Sequence, residues 1–461
     1  MSDFDLIVIG AGPGGYTAAL EAAGLGLRTA VAEEREPGGT CLNRGCVPTK
    51  ALLHTSQIYR DAVNGDASGI RAEKIQADIP AMFAHKKQIV EKLSSGVEEL
   101  LKKAGVTLLR GRAQIAAPGR VEIAASDGEK SVYTAERILA ATGSVPARPP
   151  IPGLDLPGVM TSDELLEGAD HLYRSIVIIG GGVIGVELAT FYADLGCQVT
   201  VIEGLDRLLP GMDRELGQNL AQLLKKQGMT IYTKSMVERV EQDSAGLTVH
   251  FSANGSPACV TGEAVLCAIG RRPYWEGLFS PDLQPERDGR ALRVDADFCT
   301  SIPGVCAIGD VSSRIQLAHV AAAQGVACVH KFCGKESSVN LSIVPNCIYC
   351  RPEIAAVGIT DTEAKEAGIP VKTGKCTLAA NARTVIADPG RSFMKLVANS
   401  ETHEILGAQL MCEHSSDIIS QISQAMANHL TAEQLLAAMR PHPSFEEAMT
   451  AALSDLVKRL S

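Results

Sequence analysis

Two cysteines five residues apart, Cys41 and Cys46, offer the clearest reactive groups in this sequence. They lie at the predicted start of a helix, within the stretch 38–50, GGTCLNRGCVPTK. In a regular helix, residues i and i+5 are separated by about 7.5 Å of rise, whereas a disulfide needs Cα atoms within about 7 Å. A bridge between them therefore requires a bent backbone, and a strained disulfide is easily reduced. The pair favours a working disulfide over two buried thiols that never pair.

The neighbouring residues support that interpretation. Gly45 and Pro48 loosen and limit the helix around the pair, and Gly38 and Gly39 allow the backbone to approach a bound molecule closely. The stretch therefore predicts a redox-active thiol pair held against a ligand.

A glycine-rich turn begins the elements that would hold this ligand. The apolar run from Phe4 to Ile9 predicts a strand, the segment 10–15 (GAGPGG) a turn, and the alanine-rich run from Tyr16 to Ala23 a helix. The same order recurs where the strand Ile176 to Ile179 leads into the segment 180–185 (GGGVIG). In such a unit the backbone N–H groups and the helix N-terminus bind a pyrophosphate.

Each of the two units also ends in an acidic residue. Glu33 closes the strand Arg28 to Glu33, and Glu203 follows the strand Gln198 to Ile202. Both acids lie 23 residues after the first glycine of their turn, where a carboxylate can bind a ribose hydroxyl. One glycine motif is weak evidence, but its repetition at the same spacing indicates two dinucleotide-binding folds.

An amphipathic helix and then short strands are predicted after each unit. The first helix ends before Gly105 and the second before Gly228, and their apolar residues are Ile89, Leu93, Val97, Leu100 and Leu101, then Leu216, Leu220, Leu223 and Leu224. The proline-rich segment from Val145 to Pro157 is the predicted linker between the two folds. A third buried strand, 305–310, ends in Asp310.

From about Asn340 the pattern changes to an α+β module. Thr360 and Glu363 suit a capping box at its first helix. The predicted strands are Ala355 to Val357, Phe393 to Ala398 and Ile405 to Met411, and the helices are Asp361 to Ala367 and Asp417 to Leu430. The module has no phosphate loop, so its predicted role is docking.

Composition narrows the class of protein. A chain of 461 residues has room for about three domains. The net charge of -10 disfavours nucleic acid as a partner. No apolar run approaches the roughly 18 residues of a membrane span. The thirteen scattered cysteines and the acidic residues of the first five positions indicate a reducing, cytoplasmic setting.

The stretch 38–50 closely resembles the redox-active signature of the flavin-dependent pyridine nucleotide disulfide oxidoreductases. Its Leu-Asn-Arg and Val-Pro-Thr-Lys elements are most similar to dihydrolipoamide dehydrogenases, and the resemblance covers essentially the whole chain. It implies an α/β fold of two Rossmann-like dinucleotide-binding domains plus an α+β carboxy-terminal dimerisation domain. The expected division is 1–143 for FAD, 144–270 for NAD, 271–339 completing the FAD domain, and 340–461 for the dimer interface.

The resemblance also assigns functional residues. The catalytic set would be a redox pair, an ion pair beside the flavin, and an acid–base histidine with the glutamate that orients it: Cys41 and Cys46, Lys50 and Glu187, His442 and Glu447. The residues expected to contact the two cofactors are Gly10, Gly12, Gly14, Gly15, Glu33, Gly39, Thr40, Lys50, Ala113, Thr142, Gly143, Gly180, Gly182, Gly185, Glu203, Val237, Gly270, Asp310 and Ala318. No metal site is expected.

The order of the motifs assigns one cofactor to each fold. Cys41 and Cys46 follow Glu33 by only a few residues, so the first fold should hold FAD over the pair and the second fold the nicotinamide. Glu203 favours NAD, because a carboxylate repels the 2′-phosphate of NADP, and Arg207 is the only cation near it.

The expected reaction is oxidation of dihydrolipoamide to lipoamide with NAD, by a homodimer whose lipoyl substrate arrives on a separate protein of a multienzyme complex. A reductase of another disulfide, such as glutathione, would share the cysteines and His442 but prefer NADPH. A non-catalytic flavoprotein subunit should have lost at least one catalytic residue, and none is missing. Mercuric reductase is disfavoured because its carboxy-terminal cysteine pair is absent. Arg440-Pro441 departs from the His-Ala that commonly precedes the catalytic histidine.

Cys347 and Cys350 form a CxxC motif that lies in a predicted interface strand. No second ligand pair lies at metal spacing, so a zinc or second redox site is disfavoured. The remaining cysteines are predicted to be small buried apolar residues.

Overall fold

The computed structural model describes residues 2–387 and 390–461. Residues 2–140 form the first dinucleotide-binding unit. The elements are β1 (Phe4–Ile9), α1 (Pro13–Gly24), β2 (Thr29–Glu33), α2 (Gly39–Arg44), α3 (Cys46–Val63), α4 (Ile79–Lys103), β3 (Thr107–Arg110), β4 (Arg112–Ala117), β5 (Arg120–Ala124) and β6 (Lys130–Ala140).

The second unit follows with the same order of strand, glycine turn, helix and strand. Its elements are β7 (Ser144–Pro146), β8 (Val159–Thr161), α5 (Ser162–Glu167), β9 (Ser175–Ile179), α6 (Val183–Asp194), β10 (Gln198–Ile202), α7 (Arg214–Lys226), β11 (Thr230–Tyr232), β12 (Ser235–Asp243), β13 (Gly246–Ala253), β14 (Ser256–Gly262) and β15 (Ala264–Cys267). The predicted linker is therefore partly structured, because β7 lies at its start.

The chain then returns to the first unit and ends in the last module. The returning part contains β16 (Arg271–Pro273), β17 (Arg287–Asp288), β18 (Ala291–Leu292), β19 (Val305–Ala307) and α8 (Ala318–Phe332). The last module contains β20 (Asn346–Ile348), β21 (Ile354–Gly358), α9 (Asp361–Glu366), β22 (Val371–Thr377), α10 (Ala382–Ala387), β23 (Phe393–Asn399), β24 (Ile405–Met411), α11 (Ser415–Ala427), α12 (Ala432–Leu436) and α13 (Glu447–Leu460).

Two sheets with parallel cores carry the glycine turns. The first sheet has the order β3-β2-β1-β6-β5-β4, with β19 paired in parallel to β6. The second has the order β11-β10-β9-β15-β8, and all its pairs are parallel. The turns leave the carboxyl ends of β1 and β9, where ligands bind in folds of this kind. The ribbon β7–β16 links the two units.

The last module is a five-stranded antiparallel sheet, β20-β21-β24-β23-β22, packed against α11 and α13. The predicted capping box is present, since Thr360 Oγ1 accepts from the Glu363 N–H and Glu363 Oε2 accepts from the Thr360 N–H. Within residues 2–387 and 390–461, no helix is both long enough and apolar enough to cross a membrane.

The structure corrects part of the buried face that the apolar pattern predicts for helix α4. Val97 and Leu101 are buried, but the exposed fractions of Leu93 and Leu100 are 43% and 51%. The helix is correct, but its buried stripe is narrower than the apolar pattern suggests, because only one face packs against the first unit.

Candidate active site

One large cavity lies where the two dinucleotide-binding units meet. Its volume is about 1590 Å³, against about 300–1,000 Å³ for a common ligand pocket. Both glycine turns line it, as do Cys41, Cys46 and Lys50. The fold thus brings the predicted redox pair and two predicted nucleotide sites to a single space.

The backbone bends between the two cysteines, as predicted. Helix α2 ends at Arg44, Gly45 leaves helical geometry with φ −143° and ψ −105°, and α3 begins at Cys46. Gly39 presses against the first glycine turn, because a Cβ added to it would lie 2.5 Å from Gly12 Cα. The cysteine segment is therefore held against the predicted pyrophosphate site.

Cys41 and Cys46 are not joined by a disulfide in the structure, and the pKa values of their thiols are shifted in opposite directions. The hydrogen bond from Cys41, aided by the Lys50 ammonium, lowers the pKa of Cys46 to about 7 against the effect of burial. The same hydrogen bond and burial raise the pKa of Cys41. In the reduced pair, Cys46 therefore carries the thiolate and Cys41 keeps its proton.

An ion pair stands beside the cysteines. Lys50 Nζ donates to both carboxylate oxygens of Glu187, at 2.9 and 2.8 Å, and the Glu187 side chain is nearly buried. Burial favours the neutral amine, but Glu187 outweighs it and the pKa of Lys50 is raised. The lysine thus stays a cation in a partly desolvated site, which is the pairing the resemblance implied.

Alkylation of the reduced protein tests this electrostatic account. We expect iodoacetamide to modify Cys46 with a half-maximal rate near pH 7, because the thiolate is the reactive form. In Lys50→Met the midpoint should rise by about one pH unit, since the stabilising cation is lost. Lys50→Arg is the matched control, and an unchanged midpoint in Lys50→Met would show that the cation does not act on Cys46.

The two acidic residues at the strand ends make identical contacts. In each case one carboxylate oxygen accepts from the second residue of the glycine turn and the other accepts from the residue two positions after the acid. The distances are 2.7 and 2.9 Å for Glu33 with Ala11 and Arg35, and 2.6 and 2.8 Å for Glu203 with Gly181 and Leu205. Two sequence units thus fold into the same local site.

Most of the predicted cofactor residues line the cavity. They are Gly10, Gly12, Gly14, Glu33, Gly39, Thr40, Lys50, Ala113, Thr142, Gly143, Gly180, Gly182, Glu203, Val237, Gly270, Asp310 and Ala318. Gly15 and Gly185 do not line the cavity. A Cβ on them would come within 1.8 and 2.0 Å of the carbonyl oxygens of Gly10 and Gly180, so these glycines allow the helix to pack closely on the strand.

His442 and Glu447 lie together but away from the cavity of their own chain. His442 Nδ1 is 2.8 Å from Glu447 Oε2, and 75% of the histidine side chain is exposed. The pairing fits a histidine whose orientation and tautomer are set by a carboxylate. Among the described residues, none hydrogen-bonds to His442 Nε2, so this nitrogen can contact another molecule.

Comparison with known proteins decides the family. The model of the pyridine nucleotide-disulphide oxidoreductase family matches residues 4–325, and the model of its dimerisation domain matches residues 344–453. The chain belongs to this family. Dihydrolipoyl dehydrogenase 3 of Pseudomonas putida is 38% identical, covering 99% of this chain and 98% of its own. Dihydrolipoyl dehydrogenase of Bacillus subtilis is 35% identical, covering 97% of each chain.

A solved structure agrees with this assignment. The HOCl-induced flavoprotein disulfide reductase RclA from Escherichia coli has a TM-score of 0.86 and 28% identity, covering 98% of this chain and 99% of its own. The family is FAD-dependent and uses NAD(H), so this chain is a flavin-dependent disulfide oxidoreductase. The predicted family, fold class, enzyme class and cofactors are confirmed. The dimerisation domain supports the predicted homodimer.

Several contacts of this oxidoreductase were not found from sequence. The Tyr349 N–H donates to Glu187 Oε1 at 3.0 Å, and its ring centroid lies 4.6 Å from Lys50 Nζ. Ser144 Oγ donates to Asp310 Oδ2 at 2.6 Å, and Arg271 Nε donates to that hydroxyl at 2.9 Å. The CxxC motif was the one available signal for Tyr349, since it encloses that residue.

The two cysteines of the CxxC motif differ in how deeply they are buried. Cys347 lines the cavity, whereas Cys350 is buried and burial raises the pKa of both thiols. In the part of the chain that the structure describes, no cluster of three or more His, Cys, Asp or Glu side chains is arranged to hold a metal ion.

Proposed function

We propose that this protein oxidises protein-bound dihydrolipoamide to lipoamide with NAD as the electron acceptor. The observation that supports it most is the Cys41–Cys46 pair beside the Lys50–Glu187 ion pair in one cavity, where the pKa of Cys46 is lowered and that of Cys41 is raised. Full-length similarity to proteins named dihydrolipoyl dehydrogenase points to the dithiol substrate.

The cavity has the features needed to hold both cofactors. We assign FAD to the first glycine turn, Glu33 and Asp310, and NAD to the second turn and Glu203. The domains follow as 1–143 with 271–339 for FAD, 144–270 for NAD and 340–461 for the dimer interface. When bound, FAD would supply the two-electron redox chemistry that links the reduced cysteines to NAD.

The residues of the chain account for the thiol chemistry. Because His442 does not line the cavity of its own chain, we assign the acid–base role to His442 of the partner subunit. It takes the proton of one substrate thiol, and the resulting thiolate attacks Cys41 Sγ in the oxidised pair. The Cys41–Cys46 bond breaks, and Cys46 leaves as the thiolate that Lys50 stabilises. The partner's His442 releases the first proton to solvent and takes that of the second substrate thiol, which attacks the substrate sulfur bound to Cys41. Lipoamide leaves, and this second proton passes from the histidine to Cys41.

Asn381 is a positioning residue in this account. Its Nδ2 donates to Glu447 Oε1 at 3.1 Å and to the Ser444 carbonyl at 2.9 Å, while its Oδ1 accepts from the N–H and hydroxyl of Thr384. It therefore holds Glu447, which orients His442.

Replacing Asn381 with Asp should lower kcat about tenfold and displace the pH profile of kcat/KM, because a second carboxylate then faces Glu447. Thr384→Ser, which keeps both bonds to Asn381, should behave as wild type. A pH profile that does not move in Asn381→Asp would argue against this role.

Glu203 should determine the choice of nicotinamide. We expect Glu203→Ala together with Leu205→Arg to raise kcat/KM for NADP relative to NAD by about tenfold or more, because the carboxylate repels a 2′-phosphate and the arginine binds it. Leu205→Ala with wild-type Glu203 is the matched control. An unchanged ratio would mean that the second fold does not bind the nicotinamide cofactor.

Arg440 stands two residues before His442, where dihydrolipoamide dehydrogenases commonly have a histidine, and its contacts are structural. Its guanidinium donates to the Leu435 and Ala438 carbonyls and to Thr450 Oγ1, so it joins α12 to α13. A structural role there leaves the His442–Glu447 pair intact and does not weaken the proposal.

The alternative is reduction of another disulfide, as in the E. coli reductase that this fold resembles. One assay decides: the purified holoenzyme is given dihydrolipoamide with NAD or NADP, and glutathione disulfide with NADH or NADPH. The proposal predicts the highest kcat/KM for dihydrolipoamide with NAD. Faster turnover of glutathione disulfide would favour the alternative, and an inert holoprotein would favour a non-catalytic subunit.

Partner and location belong to the same proposal. The lipoyl group would be carried by a separate protein of a multienzyme complex. The thirteen unpaired thiols fit a reducing compartment, and we propose the cytoplasm.

A further inference from the structure

Three cysteines outside the cavity lie together at strand β19 of the first sheet. Cys306 is the middle residue of β19, and Cys299 faces it across an antiparallel bridge with 3.3 Å between the Sγ atoms. Cys328 of α8 belongs to the same buried apolar cluster as Cys306. Cys306 and Cys328 are buried as predicted. The prediction is wrong for Cys259, which is exposed, and for the partly exposed Cys299, Cys333 and Cys376.

The backbone at this bridge suits a disulfide. The Thr300 N–H donates to the Val305 carbonyl and the Ala307 N–H to the Phe298 carbonyl, each at 2.9 Å, so the hydrogen bonds flank the cysteine pair. Residues opposed in this way have Cα atoms about 4.5 Å apart, at the short end of the about 4.4–6.8 Å found in disulfides. A bond can therefore form without backbone rearrangement, and the short spacing makes it easy to reduce.

We propose that Cys299 and Cys306 form a second, reversible disulfide when hydrogen peroxide reaches this edge of the sheet. The Cys299 sulfur attacks the O–O bond, giving a sulfenic acid and one water. The Cys306 sulfur then displaces the hydroxyl group, giving the disulfide and a second water. Two thiols lose two electrons and two protons, and the peroxide gains both. A small dithiol restores the thiols by exchange.

The local chemistry sets the order of oxidation. Burial and the contact with Cys306 raise the pKa of Cys299 to about 12, whereas that of Cys46 is about 7. Thiolates are the reactive form, so the active-site pair oxidises first and the second disulfide forms under sustained oxidant. This modification is independent of the proposed function, since it uses neither the substrate nor the cofactors.

Peptide mapping of the oxidised holoprotein tests the proposal. Trypsin releases Cys299 and Cys306 in one peptide, Val294 to Arg314, and Cys328 in the next, Ile315 to Lys331. After graded hydrogen peroxide, denaturation and alkylation, the first peptide should lose two hydrogen atoms and both alkylation sites. Dithiothreitol added before alkylation should restore both sites. In Cys299→Ser, Cys306 should remain alkylatable.

Three outcomes would overturn it. One is full alkylation of both thiols after sustained peroxide well beyond the level that oxidises Cys41 and Cys46. Another is sulfinic acid at Cys299 without the disulfide. The third is a link between the two peptides, which would assign the bond to Cys306 and Cys328.

Discussion

Cys46→Ser is expected to lower dihydrolipoamide turnover by about 10³-fold or more, because the variant can neither form the disulfide nor present a thiolate to the flavin. Cys41→Ser should be equally inactive, since it removes the sulfur that the substrate attacks. Both variants should keep FAD, because their backbone contacts are unchanged. Cys259→Ser, at an exposed position of β14, is the matched control and should keep full activity.

The two inactive variants should differ in their spectra. With Cys46 left as a lone thiolate near the flavin, Cys41→Ser should show a long-wavelength charge-transfer band without added reductant. Cys46→Ser should lack the band, because burial still raises the pKa of the remaining Cys41 and disfavours its thiolate. The reverse pattern would exchange the roles of the two cysteines.

His442→Ala should lower kcat by about 10²–10⁴-fold without loss of FAD, the range expected when a general acid–base group is removed. Because His442 lies away from the cavity of its own chain, we expect each active site to use the histidine of the partner subunit. A mixed dimer of Cys46→Ser and His442→Ala chains then has one site with both lesions and one with neither.

Refolding the two inactive variants together tests this arrangement. Random pairing makes about half of the dimers mixed, and each mixed dimer has one intact site, so activity should return to about a quarter of wild type. Each variant refolded alone is the control. If mixed dimers form and activity stays at the parental level, His442 acts within its own chain.

Local pattern was enough to predict the elements that carry the site. β1 and β10 have the predicted bounds because buried apolar runs end at glycine turns or at an acid. The break between Cys41 and Cys46 followed from the reach of a disulfide. These features depend on residues close together in the chain, where spacing alone sets the geometry.

Contacts between distant segments could not be predicted in this way. Tyr349 meets Glu187 across 162 positions, and Asn381 meets Glu447 across 66. Such pairs depend on how the last module packs against the second unit and on its own internal packing. The exposure of Leu93 has the same origin, since periodicity identifies a helix but not the width of its buried face.

The most direct measurement is anaerobic rapid mixing of the oxidised holoenzyme with dihydrolipoamide, followed by NAD. The account predicts a charge-transfer band on addition of the dithiol, from Cys46 as thiolate beside the flavin. NAD should then restore the oxidised spectrum with one NADH formed per active site. No spectral change with dihydrolipoamide, in an enzyme that NADH reduces readily, would contradict the proposed substrate.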